Sequence, residues 1–193
     1  MNKKLILFND PLKNAEEYLL LAKSADADIV ETINCKMAAA KLLISINQTE
    51  RASTILEECV KIITEGSPQY RSIKFYNQIY VMYLELDDDR PAGQCAVQIA
   101  QIYHYELRDA AKAIEYYEQA AEFYRHTEQD SEKDLPEIYK NLGDCYLSHG
   151  DKETAEKNYA LSLEHASVSG KAQKAYNAAK QKGLAQGLKR KLH

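Results

Sequence analysis

Apolar residues recur at spacings of three and four along almost the whole 193-residue chain, which places them on one face of a 3.6-residue helix. With Gly at 7 and Pro at 4, the chain lacks the turn punctuation that a many-stranded fold needs. The pattern predicts an all-α fold of about nine helices, over residues 11–24, 28–46, 49–65, 68–86, 90–106, 109–126, 133–149, 151–167 and 171–188. The links between them are short, as at Glu65-Gly66-Ser67-Pro68, Asp87-Asp88-Asp89-Arg90-Pro91 and His149-Gly150-Asp151. Gly closes one helix and Pro or Asp opens the next, and short links force consecutive helices to run antiparallel.

The helices repeat. Tyr139-x-x-Leu142-Gly143-x-x-Tyr146, followed by Ala155 and Tyr159, resembles the tetratricopeptide (TPR) repeat. The spacing has a mechanical reading: Gly143 and Ala155 are small enough for two helices to approach, while Leu142, Tyr146 and Tyr159 fill the groove between neighbours. Asp109 to Ala120, with Ala113 and Tyr117 at the packing positions, reads as the second helix of a preceding pair. Asn47 to Cys59 reads as a weaker copy of the same element. Strict alternation cannot make both of them second helices, so either an extra helix lies between about 68 and 106 or one assignment fails. The expected architecture is a TPR-like right-handed superhelix of antiparallel pairs over 1–170, with a basic capping helix and tail over 171–193.

Charge divides the same way. The tail holds Lys171, Lys174, Lys180, Lys182, Lys189, Arg190 and Lys191 and no acid, so the first 170 residues carry −11 against a chain total of −4. An acidic body and a basic end suit different partners, although a Lys-rich terminal helix also simply keeps its end soluble. Only Tyr176 interleaves these cations, and nucleic acid is not an expected partner.

Catalytic signatures are missing from the sequence. No phosphate loop, nucleophile elbow or metalloprotease motif occurs, and the histidines at 104, 126, 149, 165 and 193 are scattered. The chain is therefore expected to be no enzyme and to use no metal, no cofactor and no small-molecule substrate. Cys35, Cys59, Cys95 and Cys145 form no CxxC pair and fit burial in a reducing compartment. The apolar run Leu5-Ile6-Leu7-Phe8 is too short for a signal peptide, and no stretch approaches the ~20 apolar residues of a membrane span, which points to the cytoplasm. Tyrosine stripes at Tyr76, Tyr80 and Tyr83 and at Tyr116, Tyr117 and Tyr124 suit packing between helices or a partner groove.

Residues 99–125 read IAQIYHYELRDAAKAIEYYEQAAEFYR. The run Ile102-Tyr103-x-x-Glu106-Leu107-x-Asp109, joined without a gap to Lys112-Ala113-Ile114-x-x-Tyr117-Glu118-Gln119, resembles the soluble NSF attachment proteins (SNAPs), adaptors of intracellular membrane fusion. The resemblance implies a sheet of antiparallel helices that grips SNARE-type helical bundles and presents them to a hexameric AAA ATPase. It implies Arg125, after Phe123-Tyr124, as a basic contact. It sets Gln94 where the family carries a second base, with Arg90 one turn earlier on the same helix as a substitute. It also implies peripheral membrane contact near the N-terminus, for which Leu5, Ile6, Leu7 and Phe8 are available; capping the first helix pair is their other reading. A generic TPR scaffold with a different partner, including a mimic of such an adaptor, is the alternative function.

Overall fold

The computed structural model describes residues 8–24, 28–66, 72–126 and 131–166. Among them run eight α-helices and no strand: α1 Pro11–Ala22, α2 Ile29–Ser45, α3 Thr49–Glu65, α4 Ile73–Glu85, α5 Asp89–Gln101, α6 Ala110–His126, α7 Ser131–His149 and α8 Lys152–His165. The ninth expected helix, at 171–188, lies outside the described residues. The all-α expectation holds. One detail of the predicted 90–106 helix differs, because after Gln101 the chain continues as a π-helix over Ile102–Glu106.

Local chemistry sets the helix starts. Asp10, Asp28, Ser72, Asp109 and Asp151 each accept a first-turn backbone N–H, at 3.0 Å (Leu12), 2.7 Å (Glu31), 3.2 Å (Lys74), 3.1 Å (Lys112) and 3.0 Å (Thr154). These side chains satisfy donors that a helix leaves orphaned at its N-terminus.

One turn type joins most neighbours. Asn47, Asp87 and Gly150 all sit at positive φ, at 61°, 56° and 97°. The N–H of the following residue reaches back five positions, Gln48 to Leu43, Asp88 to Tyr83 and Asp151 to Tyr146, at 2.9, 3.1 and 2.9 Å. This is the Schellman closure, which reverses the chain in three residues. Arg108 (φ 55°) makes the fourth such turn, but there Asp109 reaches six positions back, to the Tyr103 carbonyl at 2.9 Å. The π-helix has inserted one residue before the reversal, marked by Leu107 N–H on the Ile102 carbonyl at 3.0 Å. Tight turns thus bracket α5 on both sides. No extra helix between α3 and α6 is seen among the described residues, so under strict alternation the two cannot both be second helices.

The chain groups into two units, Met1–Cys95 and Ala96–His193, divided within α5. In the first, α2 packs between α1 and α3, and α4 runs antiparallel to α3, as Thr64 with Tyr76 and Ser53 with Asp88 show. Its core is aliphatic and alanine-rich: Ile33, Ala39, Ala40, Leu43, Ala52, Leu56 and Ile63 are fully buried, joined by Tyr76 and Tyr83. In the second, α6 packs on α7 and α7 on α8 around Ile99, Ala113, Tyr117, Ala120, Leu142 and Cys145.

Candidate functional site

Arg125 lies in the last turn of α6, where a cation meets the negative end of the helix. Its Nε donates to the Ala121 carbonyl at 3.2 Å, and no carboxylate pairs with it among the described residues. The side chain is exposed. Its neighbour Tyr124, expected as a partner contact, is 3% exposed. That ring is core, because α6 turns 124 inward with Ala113, Tyr117, Ala120 and Ala121. Arg90 (half-buried) and Gln94 (exposed) stand one turn apart on α5, in the first unit, while Arg125 belongs to the second.

Of the N-terminal apolar residues, Leu5, Ile6 and Leu7 lie outside the described residues. Phe8 is 40% exposed. Its backbone is clamped by Asn14: Phe8 N–H donates to Asn14 Oδ1 at 2.6 Å, and Asn14 Nδ2 donates to the Phe8 carbonyl at 2.8 Å.

The repeat residues form the α7–α8 joint. A Cβ on Gly143 would stand 2.5 Å from the Tyr159 ring, so the ring lies directly on the glycine. Tyr159 then donates to Asp144 Oδ1 at 2.7 Å, while Lys140 Nζ reaches the other oxygen at 3.0 Å. Tyr139 stacks on His165, with centroids 5.4 Å apart. Leu142 and Ala155 are buried, and Tyr146 reaches α6 by donating to Glu118 Oε1 at 2.5 Å. Burial first, and that bond second, push the Tyr146 hydroxyl up to about 12.

Sequence reasoning missed a polar cluster beside this joint. Asn141, 2% exposed, accepts from the Tyr105 hydroxyl at 3.1 Å and from Lys140 Nζ at 3.4 Å. Burial works against the Lys140 charge, but its bond to Asp144 outweighs this and holds its pKa above the ordinary lysine value. His104 stacks on Tyr105 (4.2 Å) and meets Tyr117 edge-on (6.2 Å). Its Nδ1 and the Tyr117 hydroxyl are buried without a hydrogen-bond partner among the described residues. Burial lowers the His104 pKa, Asp144 opposing and Lys140 adding to the effect, and it raises that of Tyr117. The available signal was the polar pair Asn141 and Asp144 on a helix whose other inward positions are apolar.

Burial pushes the thiols of Cys59, Cys95 and Cys145 up to about 12 and raises that of Cys35, so all four are protonated and poorly nucleophilic near neutrality. No group of three or more His, Cys, Asp or Glu stands ready to hold a metal ion among the described residues. No described helix is long and apolar enough to cross a membrane.

Solved structures with similar traces are BtubC (BKLC) from P. vanneervenii, at TM-score 0.47 and 17% identity over 82% of this chain and 74% of that one, and YrrB, a TPR protein with an unusual peptide-binding site, at TM-score 0.36 and 12% identity over 90% and 84%. Beta-soluble NSF attachment protein of Bos taurus is 30% identical over 98 residues, and alpha-soluble NSF attachment protein of Mus musculus is 29% identical over 98; each alignment covers 51% of this chain and 33% of the relative. The matched stretch is thus about a third of those relatives' length. The family model described as soluble NSF attachment protein, SNAP, matches residues 24–161, most of the chain, and by that match the chain belongs to the soluble NSF attachment protein family.

Proposed function

We propose that this chain is a non-enzymatic adaptor that binds helical bundles of the SNARE type in vesicle and membrane-fusion transport. The observation that carries the reading is Arg125: an exposed guanidinium with no carboxylate partner among the described residues, inside the segment that the family model matches. A fixed, unpaired cation on a rigid helix end suits an acidic helical surface, where such charges set approach and orientation more than raw affinity. Arg90, one turn from Gln94, supplies a second cation of the same kind from the first unit. Cytoplasmic location, recruitment of an AAA ATPase and peripheral membrane contact through Leu5, Ile6, Leu7 and Phe8 belong to the same proposal; exposed Phe8 supports the last of them. The array over 1–170 with a basic cap at 171–193 is likewise proposed as its domain plan.

The test is capture of a purified four-helix SNARE bundle at low and physiological salt. The adaptor reading expects binding that weakens about tenfold with Arg125→Glu and less with Arg90→Glu. No capture at low salt defeats it. The neutral Gln94, at a position where the family carries a base, favours a second reading: a helical scaffold for another protein partner. Capture that is unchanged by both charge reversals supports that scaffold instead.

A further inference from the structure

The polar cluster of the second unit has already committed its side-chain oxygens. Asn141 Oδ1 accepts from the Tyr105 hydroxyl at 3.1 Å and from Lys140 Nζ at 3.4 Å. Of the two Asp144 oxygens, one accepts from Tyr159 at 2.7 Å and the other from Lys140 at 3.0 Å. The Tyr105–Asn141 bond ties the π-helix to α7. Against the inner face of that tie lies His104, its ring stacked on Tyr105 and its Nδ1 buried without a hydrogen-bond partner among the described residues. A buried polar atom left over from a network this fully used calls for an explanation.

We propose that the cluster is an acid-sensitive latch, in which a proton taken up by His104 releases the Tyr105 hydroxyl from Asn141 and frees the π-helix from α7. The groups that face the ring are Tyr105 from its own π-helix, Tyr117 from α6, and Lys140 and Asp144 from α7. Glu137 and Cys145 of α7 face the two tyrosines. Protonation makes the orphaned Nδ1 a buried cationic donor and sets a second positive charge beside Lys140. Asp144 attracts that charge, but its two oxygens already serve Lys140 and Tyr159. Relief comes through the contact that yields most easily. The Lys140–Asp144 bond is charge-assisted, roughly twice as strong as a neutral one. Tyr117 is fully buried and would have to leave the core. Tyr105 is 57% exposed, its bond is neutral, and its π-helix is five residues long, ending at a turn with Arg108 at φ 55°. The stacked rings therefore swing outward together, which returns His104 to water and leaves Asn141 to Lys140. Burial holds His104 below its ordinary value of 6.5, so the released ring binds the proton more readily than the latched one. The latch is closed above that pH and loosens as the pH falls below it. The surface around Leu107, 58% exposed, then differs between neutral and acid solution.

The latch makes no use of Arg125 or of a helical bundle, so its test stands apart from the adaptor reading. The full chain, with its tyrosine rings labelled with carbon-13 and its histidines with nitrogen-15, is titrated by NMR from pH 7.5 to 5. The His104 imidazole should titrate with a midpoint below 6.5, and the nuclear Overhauser contacts between the Tyr105 ring and α7 should disappear with that same midpoint. In His104→Phe, which keeps a ring to stack on Tyr105, those contacts should persist throughout. Linkage supplies a reciprocal measurement: if protonation opens the tie, cutting the tie must ease protonation. Tyr105→Phe, at an exposed position, should raise the His104 midpoint by about half a pH unit, a roughly threefold change in proton affinity. The proposal is overturned if the Tyr105 contacts survive at pH 5, if they are lost with a midpoint other than that of His104, if they are lost in His104→Phe as well, or if Tyr105→Phe leaves the His104 midpoint in place.

Discussion

The two units hold their helices together by different means. In the first, α2 and α3 meet through Ala39, Ala40 and Leu43 on one side and Ala52, Leu56 and Cys59 on the other, all fully buried. In the second, α7 and α8 meet where one tyrosine ring lies on a glycine and its hydroxyl bonds a carboxylate. The first surface is spread over many small and aliphatic contacts, each replaceable; the second concentrates the joint in Tyr159, Gly143 and Asp144. The TPR pattern is easier to read from the second because a concentrated joint demands particular residue types at fixed spacing. A distributed joint asks only for hydrophobic residues of suitable volume.

The contrast is broken most forcefully at Tyr159. Tyr159→Ala should lower the free energy of unfolding by about 3–5 kcal/mol, and Tyr159→Phe by about 1–3 kcal/mol for the lost bond to the Asp144 carboxylate. Urea titration reads both effects. In the first unit Leu56→Ala should fall in the usual range for a buried leucine, about 2–5 kcal/mol, with no polar group stranded. If Tyr159→Ala proves cheaper than Leu56→Ala, the joint between α7 and α8 is not concentrated after all.

Gly143 sharpens the point. Gly143→Ala gains helix propensity of about 1 kcal/mol, yet its methyl would enter the Tyr159 ring, and overpacking costs about 1–3 kcal/mol. A net loss is expected, and it should shrink in the double variant with Tyr159→Leu, whose smaller side chain can give way. The non-additivity of that cycle measures the contact.

The turns should separate the units less. Gly150 at φ 97° and Asn47 at φ 61° close equivalent reversals, one with the residue freest at positive φ and the other with a residue that tolerates it. Gly150→Ala should cost about 1–2 kcal/mol, while Asn47→Gly should change stability by only a few tenths. Thermal melting of the two variants side by side checks the order.

Much of this fold was legible from periodicity and capping. The start of α3 at Thr49 coincides with the sequence reading, and those of α1, α6 and α8 fall within a residue of it, because Asp10, Asp109 and Asp151 mark where each helix must begin. The π-helix was not legible. Ile102 to Glu106 carries no residue that forbids an ordinary helix, and the extra residue shows only through the hydrogen bonds it displaces. Tyr124 was misjudged for a related reason: a Tyr beside an Arg invites a binding reading, whereas its position on the α6 stripe decides burial. Asn141, polar yet buried, was passed over because periodicity weighs apolar positions alone.

Acidity offers the finest separation of the two units. Every histidine lies beyond residue 103, so the unit Met1–Cys95 has none, whereas His104 sits in the polar cluster of the other unit with a pKa lowered by burial. A group whose folded-state pKa falls below its ordinary value of 6.5 binds protons more readily in the unfolded chain. Its stability contribution is therefore intact above about pH 6.5, declines as the pH drops below that, and levels off beneath the lowered folded-state value. Asp144, Lys140, Tyr105 and Tyr117 surround the ring, and the carboxylate softens the effect without reversing its sign. Between pH 7 and 5.5, hydrogen-exchange protection, corrected for intrinsic rates, should fall in the π-helix, α6 and α7 and hold steady in α2 and α3. His104→Phe removes the titrating group together with its orphaned Nδ1, and it should flatten the fall; an unchanged fall would rule out His104 as its cause.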